Sequence, residues 1–433
     1  MLITGAELPD GRVRDVRTDE GRIAEIAESL HSLPGEETVD ATGLTLLPGA
    51  IDVHVHFRQP GHGHKETWAT GSRSAAAGGV TTVVDQPNTT PPTVDGTAFD
   101  EKAEFAANAA VNYGINGGVN DEWDPDSLLS RPVFALGEVF LADSTGDMGI
   151  DEELFGDALA EAADAGVTVT VHAEDADRFD ESARDGDAGG TGREANADLW
   201  SQYRTAEAEI AAVEAACEAA ADAGVDIHVA HTSTPEAAEH AAEAGMSTEV
   251  TPHHLLLSRE DLDELGTFGR MNPPLRSEAR REELYDFVVD GTVDVIATDH
   301  APHTTAEKEA GLWDAPSGVP GVETMLPLLL GEVRDGDLPL ERVVELVAAT
   351  PAERFDLDAK GRVEEGYDAD LTLVDLDDAE PIRADALHTK CDWTPFEGRE
   401  AVFPELTVVD GSVVYDGRAG DRFTAGLGRN VRE

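Results

Sequence analysis

The 433 residues are 40% hydrophobic and include 42 Gly and 22 Pro, which excludes a disordered or collagen-like chain and leaves room for a large core. Against 89 Asp+Glu stand 31 Lys+Arg, a formal charge of −58 that repels phosphate backbones and anionic membranes, so nucleic-acid binding is excluded first. Only five of the cations are lysines (Lys65, Lys102, Lys308, Lys360 and Lys390), and the acidity is spread along the whole chain. That balance points to adaptation to concentrated salt, where the Debye length shrinks to about 3 Å at 1 M and self-repulsion is screened; the blander reading is a generic acidic surface.

The N-terminus, MLITGAELPDGRV, lacks a charged start followed by an apolar core, and no apolar run approaches the ~20 residues of a membrane span. With two cysteines, Cys217 and Cys391, there is no disulfide framework or zinc finger, so a soluble protein of a reducing cytoplasm is expected. Residues 1–47 read as short alternating strands and turns, for example Gly21-Arg22-Ile23-Ala24-Glu25-Ile26. From residue 48 a unit recurs: an Ala/Glu-rich helix, a Gly, then a β-branched strand, as at Ala165-Gly166-Val167 and Ala223-Gly224-Val225. Apolar runs near 49–56, 80–86, 114–119, 133–141, 167–172, 225–231, 247–252 and 293–299 are eight candidate strands. Eight strands alternating with helices predict an α/β fold, a (β/α)₈ TIM-type barrel over 48–347, with an open doubly wound sheet as the fallback. Residues 348–433 return to the strand-and-turn texture, with Val408-Val409-Asp410-Gly411-Ser412-Val413-Val414 as a hairpin. The two ends, 1–47 and 348–433, are expected to meet in one small β-sandwich domain.

A barrel carries its active site at the C-terminal ends of its strands. The first strand ends Asp52-Val53-His54-Val55-His56, where alternation places Asp52, His54 and His56 on one face. The fifth ends in His172, the sixth in His231 and the eighth in Asp299, and the fourth carries Glu138. A single His on an apolar strand is usually a core residue. Imidazoles and carboxylates gathered on five strand ends are costly to bury unpaired, and a divalent pair satisfies them together.

The chain resembles the amidohydrolase superfamily in these ligands, and within it the dihydroorotases in longer stretches: Pro48-Gly49-Ala50-Ile51-Asp52-Val53-His54-Val55-His56-Phe57-Arg58-Gln59-Pro60-Gly61, Lys65-Glu66, Gln86-Pro87-Asn88-Thr89, Asn272-Pro273-Pro274-Leu275-Arg276 and Ala297-Thr298-Asp299-His300-Ala301-Pro302-His303. The resemblance spans nearly the whole chain. It implies two Zn²⁺ per chain, His54 and His56 holding one, His172 and His231 the other, with Asp299 on the first and facing substrate. It also implies a water made nucleophilic near neutral pH, with Asp299 taking its proton and passing it to the leaving amide nitrogen. On the substrate side it points to His56, Arg58, Asn88, Asn272, His303 and the Ser317-Gly318 backbone. Arg58 offers a planar fork suited to a carboxylate.

Two departures stand out. Gln86 replaces the Met usual before Pro-Asn, read as a packing change. Many superfamily members bridge their metals with a carboxylated Lys on the fourth strand, yet Gly137-Glu138-Val139-Phe140-Leu141-Ala142-Asp143 has no Lys. Glu138 is the expected bridge, with Asp143 its rival. His62 and His64, in a Gly-rich loop, are expected to be solvated; His228 is expected in packing or behind a ligand, and His253 and His254 are open between the two. The segment 304–316 reads as a lid or an ordinary loop.

The implied function is reversible zinc-dependent opening of the cyclic amide of L-dihydroorotate to N-carbamoyl-L-aspartate in pyrimidine synthesis. Alternatives are another cyclic amidohydrolase (hydantoinase, dihydropyrimidinase or allantoinase type) or a silent scaffold supporting a partner transcarbamoylase. The expected partner is a small molecule, with no nucleic acid or membrane; a homodimer is left open.

Overall fold

Helices Glu152–Ala165, Ala206–Ala223 and Glu278–Asp290 each stop on a glycine with left-handed backbone, Gly166, Gly224 and Gly291. A side chain would be strained there, so glycine ends the helix and releases the chain into the next strand. The computed structural model describes residues 1–141, 148–424 and 426–433.

Eight strands follow in chain order: Ala50–Val55, Val80–Asp85, Asn112–Ile115, Leu136–Phe140, Val169–His172, Ile227–Val229, Ser247–Val250 and Val295–Ile296. Neighbours pair in parallel within a three-stranded and a five-stranded group. Parallel bridges close both seams, Gly117 with Leu136 and Val55 with His300. The result is an α/β unit with a closed ring of parallel strands, the arrangement of a TIM barrel.

The eighth strand is far shorter than the expected 293–299. Beyond Ile296 the regular ladder is interrupted at Thr298, whose N–H and Oγ1–H both donate to the Asp52 carboxylate, and pairing with the first strand resumes at His300. That contact delivers Asp299 to the mouth of the ring.

Both chain ends enter one nine-stranded sheet, joined where Thr45–Pro48 runs antiparallel to Leu371–Val374. Its own apolar cluster includes Ile3, Val16, Ile23, Leu46, Leu371 and Leu406. The expected hairpin is present, Val409 pairing with Ser412 across Asp410-Gly411, both with positive φ. A further cluster joins Ile51, Val53, Val84 and Ala297 to Phe355 and Leu357, so the chain just past the last barrel helices packs against the barrel strands. Cys217 and Cys391 are free and buried. Among the described residues, no helix is long and apolar enough to cross a membrane.

Candidate metal centre and substrate cleft

Alternation along the first strand brings His54 and, just past its end, His56 to the mouth of the ring. His54 Nε2 lies 3.4 Å from Glu138 Oε2 and 3.6 Å from Asp299 Oδ1. His56 Nε2 lies 2.9 Å from Asp299 Oδ1 and 3.9 Å from Glu138 Oε2. The other carboxylate oxygen, Glu138 Oε1, sits 2.8 Å from His172 Nδ1 and 2.6 Å from His231 Nε2. One carboxylate therefore turns one oxygen to each pair of imidazoles. All six side chains are buried. Asp52, the third residue on the first strand's face, instead accepts from Thr298 and from the His54 N–H, and burial pushes its carboxyl up to about 6.

Burial alone would raise Glu138. The neighbouring His54 and His231, and hydrogen bonds from His172 and His231, outweigh it and hold the carboxyl well below its usual range. The nitrogen and oxygen donors suit a borderline divalent ion such as zinc. Two sets of ligand atoms, His54/His56/Asp299 and His54/Glu138/His231, each lie within 4.8 Å of one another, and His54 Nε2 is a buried atom without a hydrogen-bond partner. These residues fit a metal site.

Three of the four ring nitrogens facing away from the centre are anchored, while His231 Nδ1 is buried without a partner among the described residues. His54 Nδ1 donates to Glu249 Oε1 at 2.6 Å, and Glu249 Oε2 lies 3.1 Å from His228 Nε2. His172 Nε2 donates to Glu174 at 2.7 Å, and Glu174 is paired with Arg204. His56 Nδ1 donates to Asn88 Oδ1 at 2.7 Å. Carboxylates and amides on the far nitrogen fix which nitrogen faces the metal and raise its basicity.

Beside the centre opens a cleft of about 350 Å³. The expected substrate contacts His56, Arg58, Asn88, Asn272, His303, Ser317 and Gly318 all line it. Arg58 Nη2 lies 3.2 Å from His303 Nε2, which is 2.9 Å from Ser317 O. Lys65 Nζ donates to His303 Nδ1 at 3.0 Å, so the imidazole keeps its hydrogen on Nε2. Burial, with Arg58 and Lys65 nearby, keeps His303 neutral, its pKa well below the usual value. The opening is thus a cationic corner next to a cluster of acidic and imidazole ligands, suited to an anionic substrate with a polarisable carbonyl.

Residues 45–414 match the amidohydrolase family. The chain belongs to that family. It is 61% identical to the dihydroorotase of Halobacterium salinarum, with all of both chains covered. It is 44% identical to the dihydroorotase of Methanosarcina mazei, over 93% of this chain and 90% of that one. Among solved structures it resembles L-hydantoinase from Arthrobacter aurescens, with a TM-score of 0.92 at 27% identity over 99% of this chain and 98% of that one. Amidohydrolases of the dihydroorotase type are metal-dependent, and the clusters around His54 are the candidate metal site.

His62, expected in solvent, is half-buried at the open cleft, its Nε2 3.2 Å from Thr90 Oγ1. His64 is exposed, as expected. His228 does sit behind a ligand, through Glu249. His254 bridges Thr251 Oγ1 and Pro273 O, a packing role. Asp143, the rival to Glu138, lies outside the described residues. Sequence reasoning gave no role to Glu249, Glu174 or Arg204, and none to Lys65 beyond its place in the Lys65-Glu66 pair; a Glu inside the buried strand Ser247–Val250 was the local signal for the first. Segment 304–316 is tied to the body: Lys308 is buried, and its Nζ donates to the carbonyls of Arg270, Pro316 and Gly318 at 3.0, 2.9 and 3.1 Å. Arg58, His231 and Asp299 all have left-handed backbone, φ 64°, 34° and 45°.

Proposed function

We propose that the chain acts as a dihydroorotase, reversibly hydrolysing the cyclic amide of L-dihydroorotate to N-carbamoyl-L-aspartate in pyrimidine synthesis. The observation that carries the site reading is Glu138, with one oxygen toward His54 and His56 and the other toward His172 and His231. We read two zinc ions there: His54, His56 and Asp299 would hold one, His172 and His231 the other, with Glu138 between them. Such ions supply a water acidic enough to deprotonate near neutral pH and a Lewis acid for the ring carbonyl.

The remaining work falls to the chain. Arg58 and the Asn88 amide grip the ring carboxylate by charge-assisted hydrogen bonds, with His303, its Nε2–H held by Ser317 O, beside them. Asn272 and the Ser317-Gly318 backbone hold the ring edge. Asp299 takes the proton of the attacking water and delivers it to the ring nitrogen as the C–N bond breaks; ring closure runs the same transfers in reverse. The likeness to hydantoinases supports a second reading, a cyclic amidohydrolase for uncharged rings, but the cationic corner of Arg58 and Lys65, around a neutral His303, favours a carboxylated ring. A silent scaffold is disfavoured by the filled ligand set. We also assign 48–347 to the barrel and 1–47 with 348–433 to a small β-sandwich domain, the cytoplasm as the compartment, and a concentrated-salt interior as the working medium.

The test is a substrate panel in concentrated KCl: dihydroorotate, carbamoyl aspartate, hydantoin and allantoin. Turnover of the first two, abolished by a chelator, is expected. Hydantoin turned over faster than dihydroorotate overturns the reading.

A further inference from the structure

Gln86, which sequence comparison makes look like a passive replacement for Met, uses every polar atom of its side chain at the centre. Its Nε2–H donates to Val53 O at 3.1 Å, in the strand that carries His54. Its Oε1 accepts from the Glu138 N–H at 2.7 Å and from Asn116 Nδ2 at 3.0 Å. The backbone is pinned too: Lys102 Nζ donates to Gln86 O, and the same ammonium pairs with Asp85 at 2.6 Å. Asp85 in turn accepts from the Phe57 N–H at 2.6 Å, one residue past His56. Gln86 is buried and is not part of the cleft wall.

We propose that Gln86 is a positioning residue that sets Glu138 at the distance a bridging carboxylate needs, linking the strand of one histidine pair to the carboxylate shared by both. This rests on reading Glu138 as the bridge. The physical need comes from having Glu at position 138. A Glu side chain is shorter than a carboxylated Lys, so the backbone of the fourth strand must come closer to the metals. Gly137 permits part of that approach: its φ is 145°, and a Cβ there would lie 2.0 Å from Thr170 Oγ1. Something must then hold the next residue's N–H, and the Gln86 amide is the group that does so. Asn116 donates to the same oxygen and so keeps the amide from flipping, leaving Nε2 toward Val53. Met, of similar length, fills the space and offers neither a comparable acceptor nor a donor.

The test uses the full chain in concentrated KCl, stripped of metal and refilled with zinc alone in competition with a chelator of known affinity. Gln86→Met should bind zinc about 10–100-fold more weakly, as loss of a partner behind a metal ligand does, and in the loaded enzyme kcat should fall while KM holds, since Gln86 does not touch the cleft. Asn116→Ala, which only frees the amide to turn, should weaken zinc by a smaller factor in the same direction. Gln86→Met with parental zinc affinity and kcat overturns the proposal. If Gln86→Met does not fold, Asn116→Ala with parental affinity overturns it alone. Glu138→Ala, run alongside, separates the two ideas. If it keeps both zinc ions, the bridge reading itself falls; if it loses zinc while Gln86→Met keeps it, only the role of Gln86 falls.

Discussion

Replacing Lys308 by Met tests whether one wall of the cleft is held from beneath. The ammonium spends its three hydrogens on the carbonyls of Arg270, Pro316 and Gly318. Met keeps the length of the stem and removes the donors. All three carbonyls lose the ammonium, but Arg270 O retains the Gly318 N–H at 3.0 Å, so Pro316 O and Gly318 O are the two orphaned. Each orphaned buried carbonyl costs about 1–3 kcal/mol, or ~2–6 kcal/mol for the two. Relief of the buried ammonium, pressed by burial and by Arg270 and Arg58 to a pKa well below that of a free lysine, offsets part of this. A net loss of about 2 kcal/mol is expected, measured as a lower urea midpoint. The same slack reaches substrate, because Ser317 O also holds His303. A roughly tenfold rise in KM for dihydroorotate corresponds to about 1.4 kcal/mol of lost binding. A variant with lowered stability and unchanged KM refutes the claim that this pin sets the cleft wall.

Arg58→Lys should keep the charge, lose the fork and raise KM with kcat less affected; parental KM in Arg58→Met would remove Arg58 from carboxylate recognition. Asp299→Asn, with zinc content checked, should lose ~10²–10⁴ in kcat while still binding substrate. Near-parental turnover in that variant rejects the proton carrier. The charge of −58 predicts an unfolding midpoint that climbs steeply between 0.1 M and 3 M KCl, and a flat profile argues against self-repulsion as the dominant salt effect.

Much of the fold was legible because burial on both faces writes a parallel strand as an apolar run, and a left-handed glycine marks the helix before it. All eight runs became strands. The eighth shrank to Val295–Ile296, its regular ladder interrupted at Thr298, which is held by Asp52, far away in sequence. The ligands were legible for the opposite reason: charge and imidazole at the ends of apolar runs have no bland explanation in number. What escaped was pairing behind the ligands. Glu249 meets His54 across 195 residues, and no local pattern announces that. Gln86 shows a second limit: a polar side chain replacing an apolar one reads as packing until its amide is seen on the Glu138 N–H.

Arg58, His231 and Asp299 hold a backbone conformation that glycine adopts freely and that costs a side-chain-bearing residue on the order of 1–3 kcal/mol. Heat tolerance and turnover therefore pull in opposite directions at these three positions. A lineage selected only for survival at high temperature gains by drifting to glycine there, and each step would remove a side chain proposed above as carboxylate anchor, zinc ligand or proton carrier. A lineage that must still make pyrimidines is barred from that gain. Among descendants of this chain, glycine at 58, 231 or 299 would mark those relieved of the reaction.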